Sequence, residues 1–135
     1  MIYPCISFQG NCNDAIAFYK EVLGAQVKSI SHFKDTPADD AWAMSVSLPP
    51  DFVADSEVII DGQSVMMTDG GQSRPTAEYF SFCLTKDTAE EVKAIFNKLA
   101  ETGKVSEPLA PVSWASLYGV VEDKFGITWM VMTSN

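Results

Sequence analysis

The sequence predicts an α+β fold composed of two βαβββ modules. Three features indicate it: an internal repeat, two amphipathic helices that each end at a glycine, and two hairpin signals. Residues 18–27 align without gaps with residues 96–105 and are identical at three positions, Phe18, Lys20 and Val27. We therefore expect one domain over residues 1–135, with a first module at about 1–72 and a second at about 77–135.

The first helix is predicted over about Cys12 to Leu23. Asn11 or Asn13 is the expected N-cap, because an asparagine side-chain oxygen can accept a free amide hydrogen of the first turn. Gly24 can take the left-handed conformation that ends many helices. The apolar residues recur at helical spacing on one face, which is typical of a face packed against a core.

The second helix is predicted to begin at Asp87 or Thr88, since Thr88 and Glu91 have the spacing of a capping box. Gly103 is the expected end of this helix. Its apolar stripe comprises Val92, Ile95, Phe96 and Leu99.

Eight alternating stretches are predicted to be strands. They lie at 3–8, 26–33, 55–60 and 64–69 in the first half, and at 78–85, 104–110, 115–122 and 127–133 in the second. Asp61-Gly62 lies between two apolar runs and is a strong hairpin signal. Asp123 and Gly126 bracket a second turn, in which Asp123 is expected to form an Asx-type turn. Residues 35–54 interrupt the first half with three prolines and are either a lid over a site or a surface insertion.

The charge balance excludes several classes of partner. With 9 basic and 18 acidic residues the formal net charge is −9, so no basic face for nucleic-acid phosphates or anionic membranes is expected. No apolar run approaches the roughly 20 residues of a membrane-spanning helix, and the first residues lack the pattern of a secretory signal. We expect a cytoplasmic protein.

The three cysteines, Cys5, Cys12 and Cys83, form no CxxC pair. An odd number without zinc-finger spacing is typical of a reducing compartment, in which cysteines act as small buried hydrophobic residues. The residues beside Cys12 include no cation that would activate its thiol.

Two sequence motifs resemble a known family. The segments GNCNDAIAFYKEVLGA and WASLYGVVEDKFGITWMV resemble the PhnB-like branch of the vicinal oxygen chelate superfamily, which includes glyoxalase I, bleomycin-resistance proteins and extradiol dioxygenases. Ala115 replaces the glycine that follows the tryptophan in that pattern. The matching positions are Gly10, Asn11, Cys12, Phe18, Tyr19, Gly24, Asp69, Trp114, Gly119, Asp123, Phe125, Gly126 and Trp129.

The resemblance implies that the strands of both modules curl into a mixed sheet that forms a cup, usually completed in a homodimer. Pairing of two chains would also cover strand edges and an apolar concave face. In metal-using relatives four side chains of the cup, commonly His and Glu, hold a divalent ion. The corresponding positions here are Pro4, Met66 or Met67, Tyr79 or Phe80, and Met130.

None of these side chains is a hard metal ligand, and the chain has a single histidine, His32. His32 lies beside the acidic insertion and is expected to be a surface imidazole. We therefore expect neither a metal nor another cofactor.

The same branch often carries the name of a demethylubiquinone methyltransferase. Methyl transfer is not expected, because Gly70-Gly71 precede no helical pattern and the chain has no length left for a cofactor-binding domain.

Several side chains are candidates for the lining of the cup. Alternation on the last strand places Thr128, Met130 and Met132 on the face that would hold a ligand, with Ile127, Trp129 and Val131 packed under a helix. Trp114, Ser116 and Tyr118 share one face of the preceding strand, and alternation leaves open which face that is. Asp69 is either a base or a group that holds the glycine turn after it, and the DGG sequence favours the turn. The candidate ligand-binding residues are Met67, Asp69, Tyr79, Trp114, Tyr118 and Met130; no catalytic residue is assigned.

Two functions are consistent with these residues. The preferred one is metal-independent binding of a small apolar or aromatic organic molecule in the cup. The alternative is an enzyme of the same superfamily, metal-free or with a metal at another site, that acts on a small carbonyl or phenolic substrate. A bound ligand without turnover would favour the first, and a metal held by His32 or by carboxylates would favour the second.

Overall fold

The computed structural model describes residues 1–35, 48–70 and 80–134. The chain divides into two compact units, 1–74 and 75–135, and each has its own sheet, helix and core. Neither of the two α-helices in the described ranges is both long and apolar enough to cross a membrane.

The first unit is a βαβββ module. Its elements are β1 (Cys5–Phe8), α1 (Cys12–Leu23), β2 (Gln26–His32), a 3-10 turn (Phe33–Asp35), β3 (Val53–Ile60) and β4 (Gln63–Asp69). The strand order is β1-β4-β3-β2, with β1 and β4 parallel and the other pairs antiparallel. Because α1 carries the chain across the sheet, β2 starts at the opposite edge and β3 and β4 return towards β1.

The second unit repeats this connectivity. Its elements are β5 (Phe82–Lys86), α2 (Ala89–Thr102), β6 (Lys104–Val112), β7 (Ala115–Glu122) and β8 (Thr128–Thr133). The strand order is β5-β8-β7-β6, and β5 and β8 form the parallel pair. The α+β class and the two predicted βαβββ modules are therefore confirmed. That the two sheets together form a cup stays a prediction.

The ends of α1 follow the sequence signals in part. Asn11 occupies the N-cap position, but its side chain makes no capping hydrogen bond. The carboxylate of Asp69 takes that role and accepts the Cys12 amide hydrogen at 3.1 Å. Gly24 has φ 65° and ψ 29°, so the left-handed end of the helix is confirmed.

Both ends of α2 lie where the sequence predicts them. The Thr88 hydroxyl accepts a hydrogen bond from the Glu91 amide at 3.2 Å, which confirms the N-cap. The helix ends before Gly103, whose backbone is extended. A Cβ atom at Gly103 would collide with the carbonyl oxygen of Glu122, so glycine is required there by the close approach of β7.

The strand boundaries differ from the predicted ones by a few residues. The first strand begins at Cys5 rather than at residue 3, and β3 begins at Val53, within the predicted 35–54 insertion. Residues 36–47 of that insertion, and residues 78–79 of the predicted fifth strand, lie outside the described residues. The Asp61-Gly62 hairpin is confirmed, with both residues at positive φ.

Candidate ligand-binding site

The two faces of the second sheet differ in burial. Alternate residues of β8 are buried on the side where α2 packs, namely Trp129, Val131 and Thr133. The residues between them are half-buried on the other side, namely Thr128, Met130 and Met132. This arrangement confirms the alternation predicted for the last strand. In each unit, the side of the sheet away from the helix is named here the helix-free face.

Two aromatic side chains lie on the helix-free face of the second unit. Tyr118 of β7 pairs with Met132 of β8, and paired residues of neighbouring strands lie on one face. Trp114 lies just before β7 and contacts the Tyr118 ring edge-to-face, with the ring centroids 5.4 Å apart. Trp114 is 60% exposed. Ser116 was predicted to share a face with Trp114 and Tyr118. Its hydroxyl instead lies 2.9 Å from the hydroxyl of Thr133, which is buried.

Strand β5 extends this surface. Cys83 pairs with Met130 and Thr85 pairs with Met132 in the parallel register. The Ser81 hydroxyl donates a hydrogen bond to the Met130 sulfur at 3.2 Å, which holds the thioether in place. The aromatic–thioether surface is defined by Trp114, Tyr118, Met130, Met132 and Cys83.

The ionisable groups of the aromatic–thioether surface are neutral at physiological pH. Burial raises the pKa of the Tyr118 hydroxyl, and the negative charge of Glu107 and the nearby Cys83 raise it further. Partial burial also raises the pKa of the Cys83 thiol. The surface therefore presents a phenol and a thiol as hydrogen-bond donors, beside aromatic rings and thioethers, rather than a phenolate base or a thiolate nucleophile.

The helix-free face of the first unit has a related arrangement. Cys5 of β1 pairs with Met66 of β4, as Cys83 pairs with Met130 in the second unit. This face is more polar: Glu57 pairs with Met66, accepts a hydrogen bond from Ser64 at 2.8 Å and lies 3.3 Å from the Lys28 ammonium. These contacts lower the pKa of Glu57. The carboxylate stays ionised and paired, so this face is less suited to an apolar ligand.

The expectation that all three cysteines are buried is wrong. Cys12 is buried in α1, whereas Cys5 and Cys83 are exposed. Partial burial and the charge of Asp55 raise the pKa of the Cys5 thiol. The repeated Cys–Met pair was missed in the sequence, although aligning the first strands of the repeats on CISF and CLTK would have placed Cys5 over Cys83.

Met67 is a correction to the candidate set. Its side chain is fully buried, at 0% exposure, on the side of β4 that faces α1. Met67 pairs with Ile6, while Met66 pairs with the exposed Cys5. Met66 therefore occupies the helix-free face. Because two methionines are adjacent in the sequence, alternation could not choose between them.

Asp69 is a second correction. It is buried, at 4% exposure. One carboxylate oxygen accepts the amide hydrogens of Gly10 at 2.7 Å and Cys12 at 3.1 Å, and the other accepts that of Val53 at 2.9 Å. Asp69 therefore joins the β1–α1 turn to the start of β3, instead of lining a site or holding the glycine turn that follows it.

The Asx-type turn predicted at Asp123 is confirmed. One carboxylate oxygen accepts the amide hydrogens of Phe125 at 2.9 Å and Ile127 at 3.1 Å. The other accepts the indole N–H of Trp129 at 2.9 Å. Trp129 also stacks on Phe82, with the ring centroids 5.0 Å apart. Asp123 and Trp129 therefore stabilise the core of the second unit rather than contact a ligand.

The remaining candidate positions do not add to the surface. Tyr79 lies outside the described residues. Phe80 is 55% exposed and contacts Phe82, on the helix side of the sheet. Pro4 accepts the Met66 amide hydrogen at 2.9 Å through its carbonyl oxygen. For Trp114, Tyr118 and Met130 the structure gives the position, while ligand binding stays a prediction.

The residues on the helix-free faces do not fit a hard divalent metal. Within residues 1–35, 48–70 and 80–134, no group of three or more His, Cys, Asp or Glu side chains could hold a metal ion. Cys5, Met66, Cys83 and Met130 supply protonated thiols and thioethers, which are poor ligands for Zn, Mn or Fe(II) compared with imidazole and carboxylate. His32 is half-buried, with Nε2 3.1 Å from the Asn13 side-chain oxygen and Nδ1 3.8 Å from the Asp35 carboxylate.

Comparison with known proteins agrees with this fold. A family model described as 3-demethylubiquinone-9 3-methyltransferase matches residues 1–132. Protein YjdN of Escherichia coli is 37% identical over 135 residues, which cover 95% of this chain and 91% of YjdN. The PhnB protein from Bacillus cereus has a TM-score of 0.81 at 23% identity, with 98% of each chain covered. A glyoxylase/bleomycin resistance/dioxygenase domain from Frankia has a TM-score of 0.66 at 12% identity, with 100% of this chain and 97% of that domain covered.

The two βαβββ units therefore have the fold of the glyoxalase/bleomycin-resistance class. The chain belongs to the PhnB-like family, whose model carries the methyltransferase description.

Proposed function

We propose that this protein binds a small planar organic molecule on the aromatic–thioether surface, without a divalent metal. The observation that carries the proposal is the position of Trp114, 60% exposed and in ring contact with Tyr118. A large exposed indole on the same face as the thioethers offers apolar area that a ligand can cover. The ring contact and the Ser81–Met130 hydrogen bond hold the surface in shape before a ligand arrives.

The chemistry of the surface favours a planar ligand. Indole and phenol rings contact flat molecules by offset or edge-to-face packing, and thioether sulfur makes favourable contacts with aromatic rings. The neutral phenol and thiol can each donate one hydrogen bond without the cost of burying a charge.

The methyl transfer named in the family description is not part of the proposal. A methyl donor with a carboxylate or phosphate group is commonly held by free amide hydrogens at a strand-to-helix turn. In the β1–α1 turn the amide hydrogens of Gly10 and Cys12 already donate to Asp69. The negative charge of Asp69 would also repel an anionic group there, so this turn does not fit such a donor.

The test measures binding of quinoline and 2-naphthol by isothermal titration calorimetry. Trp114→Ala should weaken binding about fivefold, because loss of an aromatic contact costs on the order of 1 kcal/mol. Phe80→Ala is the matched control, since it removes another exposed ring that lies on the helix side of the sheet. Phe80→Ala should leave the affinity unchanged.

Two outcomes would overturn the proposal. One is that neither compound binds, or that both bind equally well to Trp114→Ala and the unaltered chain. The other is a tight one-to-one complex with Zn or Mn that Met130→Ala abolishes, which would restore a metalloenzyme.

A further inference from the structure

One carboxylate, that of Glu107, lies next to the aromatic–thioether surface. Glu107 of β6 pairs with Val120 of β7, and Val120 pairs with Met130. Glu107 is exposed, and its negative charge contributes to the raised pKa of the Tyr118 hydroxyl. The surface therefore has an acidic border on its β6 side.

Within the described residues, no basic residue is a register partner of Tyr118, Met130 or Met132. On adjacent strands, the register partners of Tyr118, Met130 and Met132 within the described residues are Ala110, Val120, Cys83 and Thr85. Lys86 ends β5 and pairs with Thr133, which is buried on the helix side of β8. Two lysines lie on α2, and Lys124 lies over the Phe125 ring, 5.3 Å from its centroid, in the β7–β8 turn. Lys104 pairs with Glu122, at the opposite end of β7 from Trp114.

Aromatic rings next to a carboxylate attract cations. The electron-rich faces of indole and phenol stabilise a cation over the ring, most of all where water is displaced. Glu107 adds Coulomb attraction across the same surface, and the formal net charge of −9 favours the approach of a cation over long range. A carboxylate or phosphate ligand would meet repulsion from the same groups.

We infer that the ligand of the aromatic–thioether surface is a planar organic cation, such as an N-alkylated heteroaromatic ring. This inference rests on the proposed function, because it names the class of molecule bound at the same surface. Flat aromatic area packs on Trp114 and Tyr118, and the positive charge lies towards Glu107.

The test uses a pair of probes that differ in charge and scarcely in shape. Quinoline is neutral near pH 7, and N-methylquinolinium is its permanently charged counterpart. By isothermal titration calorimetry in low salt, the cation should bind about tenfold more tightly than quinoline, and salt should reduce this ratio. The anion 2-naphthoate should bind more weakly than either.

Two variants locate the source of the preference. Glu107→Gln should reduce the ratio of the two affinities to about twofold, while the affinity for quinoline stays the same. Glu101→Gln is the matched control: it removes one negative charge from the exposed side of α2 and should leave the ratio unchanged. Circular dichroism and the melting temperature verify that both variants are folded.

The outcomes separate the inference from the proposed function. Equal binding of both probes, weakened by Trp114→Ala, would overturn the cation inference and leave the binding function standing. An equal loss of preference in Glu101→Gln and Glu107→Gln would also overturn it, since the net charge alone would then be responsible. If no probe of any charge binds, both the function and the inference fail.

Discussion

Asp69 and Thr133 occupy equivalent places in the two units, each as the last residue of the strand that pairs with the first strand. The carboxylate of Asp69 accepts the Val53 amide hydrogen at 2.9 Å, and the hydroxyl of Thr133 accepts the Leu117 amide hydrogen at 3.2 Å. The first bond joins β4 to the beginning of β3, and the second joins β8 to the first half of β7. The second oxygen of Asp69 also holds the β1–α1 turn, which a single hydroxyl could not do.

The first prediction concerns the three hydrogen bonds of Asp69. Asp69→Asn keeps one acceptor oxygen but places an amide NH2 against either the Val53 N–H or the N–H groups of Gly10 and Cys12. We expect a loss of about 2–3 kcal/mol in the free energy of unfolding, measured in urea, because buried donors lose a charged acceptor. Asp61→Asn, in the exposed hairpin turn, should change it by less than about 0.5 kcal/mol. Equal effects of both variants would contradict this role for Asp69.

The second prediction concerns the thiols. Cys12 is buried, and burial, Asp69 and Cys5 raise its pKa to about 12. With a thiol-reactive disulfide reagent, Cys5 and Cys83 should react in the folded protein, and Cys12 only after denaturation. Fast labelling of all three thiols under native conditions would contradict this accessibility.

The raised pKa of Cys12 also predicts an alkaline effect. A thiol with a raised pKa in the folded state binds its proton more tightly there than in the unfolded state. Its contribution to stability is therefore complete below the unfolded pKa, about 8.5, and decreases as the pH rises towards about 12. In urea unfolding, Cys12→Ala should show a weaker loss of stability over this range than the unaltered chain.

The third prediction is that the contribution of Glu57 to the stability of the protein is lost in acid. The hydrogen bond from Ser64 lowers the pKa of Glu57 most, and Lys28 lowers it further. The stability that Glu57 contributes is therefore present above its usual pKa and is lost as the pH falls through the lowered value. The stability difference between the unaltered chain and Glu57→Gln should therefore be constant near neutrality and vanish in strong acid. Ser64→Ala should reduce the difference at neutral pH. A difference that persists after Glu57 is protonated would contradict this account.

The fourth prediction concerns metals. Zn, Mn, Ni and Fe(II) should leave the melting temperature of the unaltered chain unchanged, since a ligand that binds the native state must stabilise it. Thioethers and protonated thiols on the helix-free faces give these ions little binding energy. Stoichiometric metal by elemental analysis, together with a raised melting temperature, would be the contrary result.

The fifth prediction is that two chains form a homodimer. In the first unit β1 and β2 are the edge strands, and Ile2 and Tyr3, just before β1, are exposed. Pairing of chains would cover strand edges and exposed apolar side chains. Sedimentation at micromolar concentration should give the mass of two chains, and a stable monomer would contradict the prediction.

The ends of the helices, the first hairpin and the two sides of β8 follow from residues that are close together in the chain. Thr88 and Gly24 set helix ends, Asp61-Gly62 set a hairpin, and alternation on β8 separated Met130 from Trp129. These features depend on contacts within a few residues, on backbone conformation or on strict periodicity. They can therefore be derived from neighbouring residues in the chain.

The residues of the site depend instead on contacts between parts of the chain that are far apart in sequence. Asp69 bonds to an amide 59 positions away in the chain, and Met67 was excluded because α1 covers its side of β4. Trp114 and Tyr118 share a face in any strand, but the register with Met132 and the position of α2 determine which face that is. The physical reason is that alternation divides a strand into two sides, whereas the crossover helix selects the side that is buried.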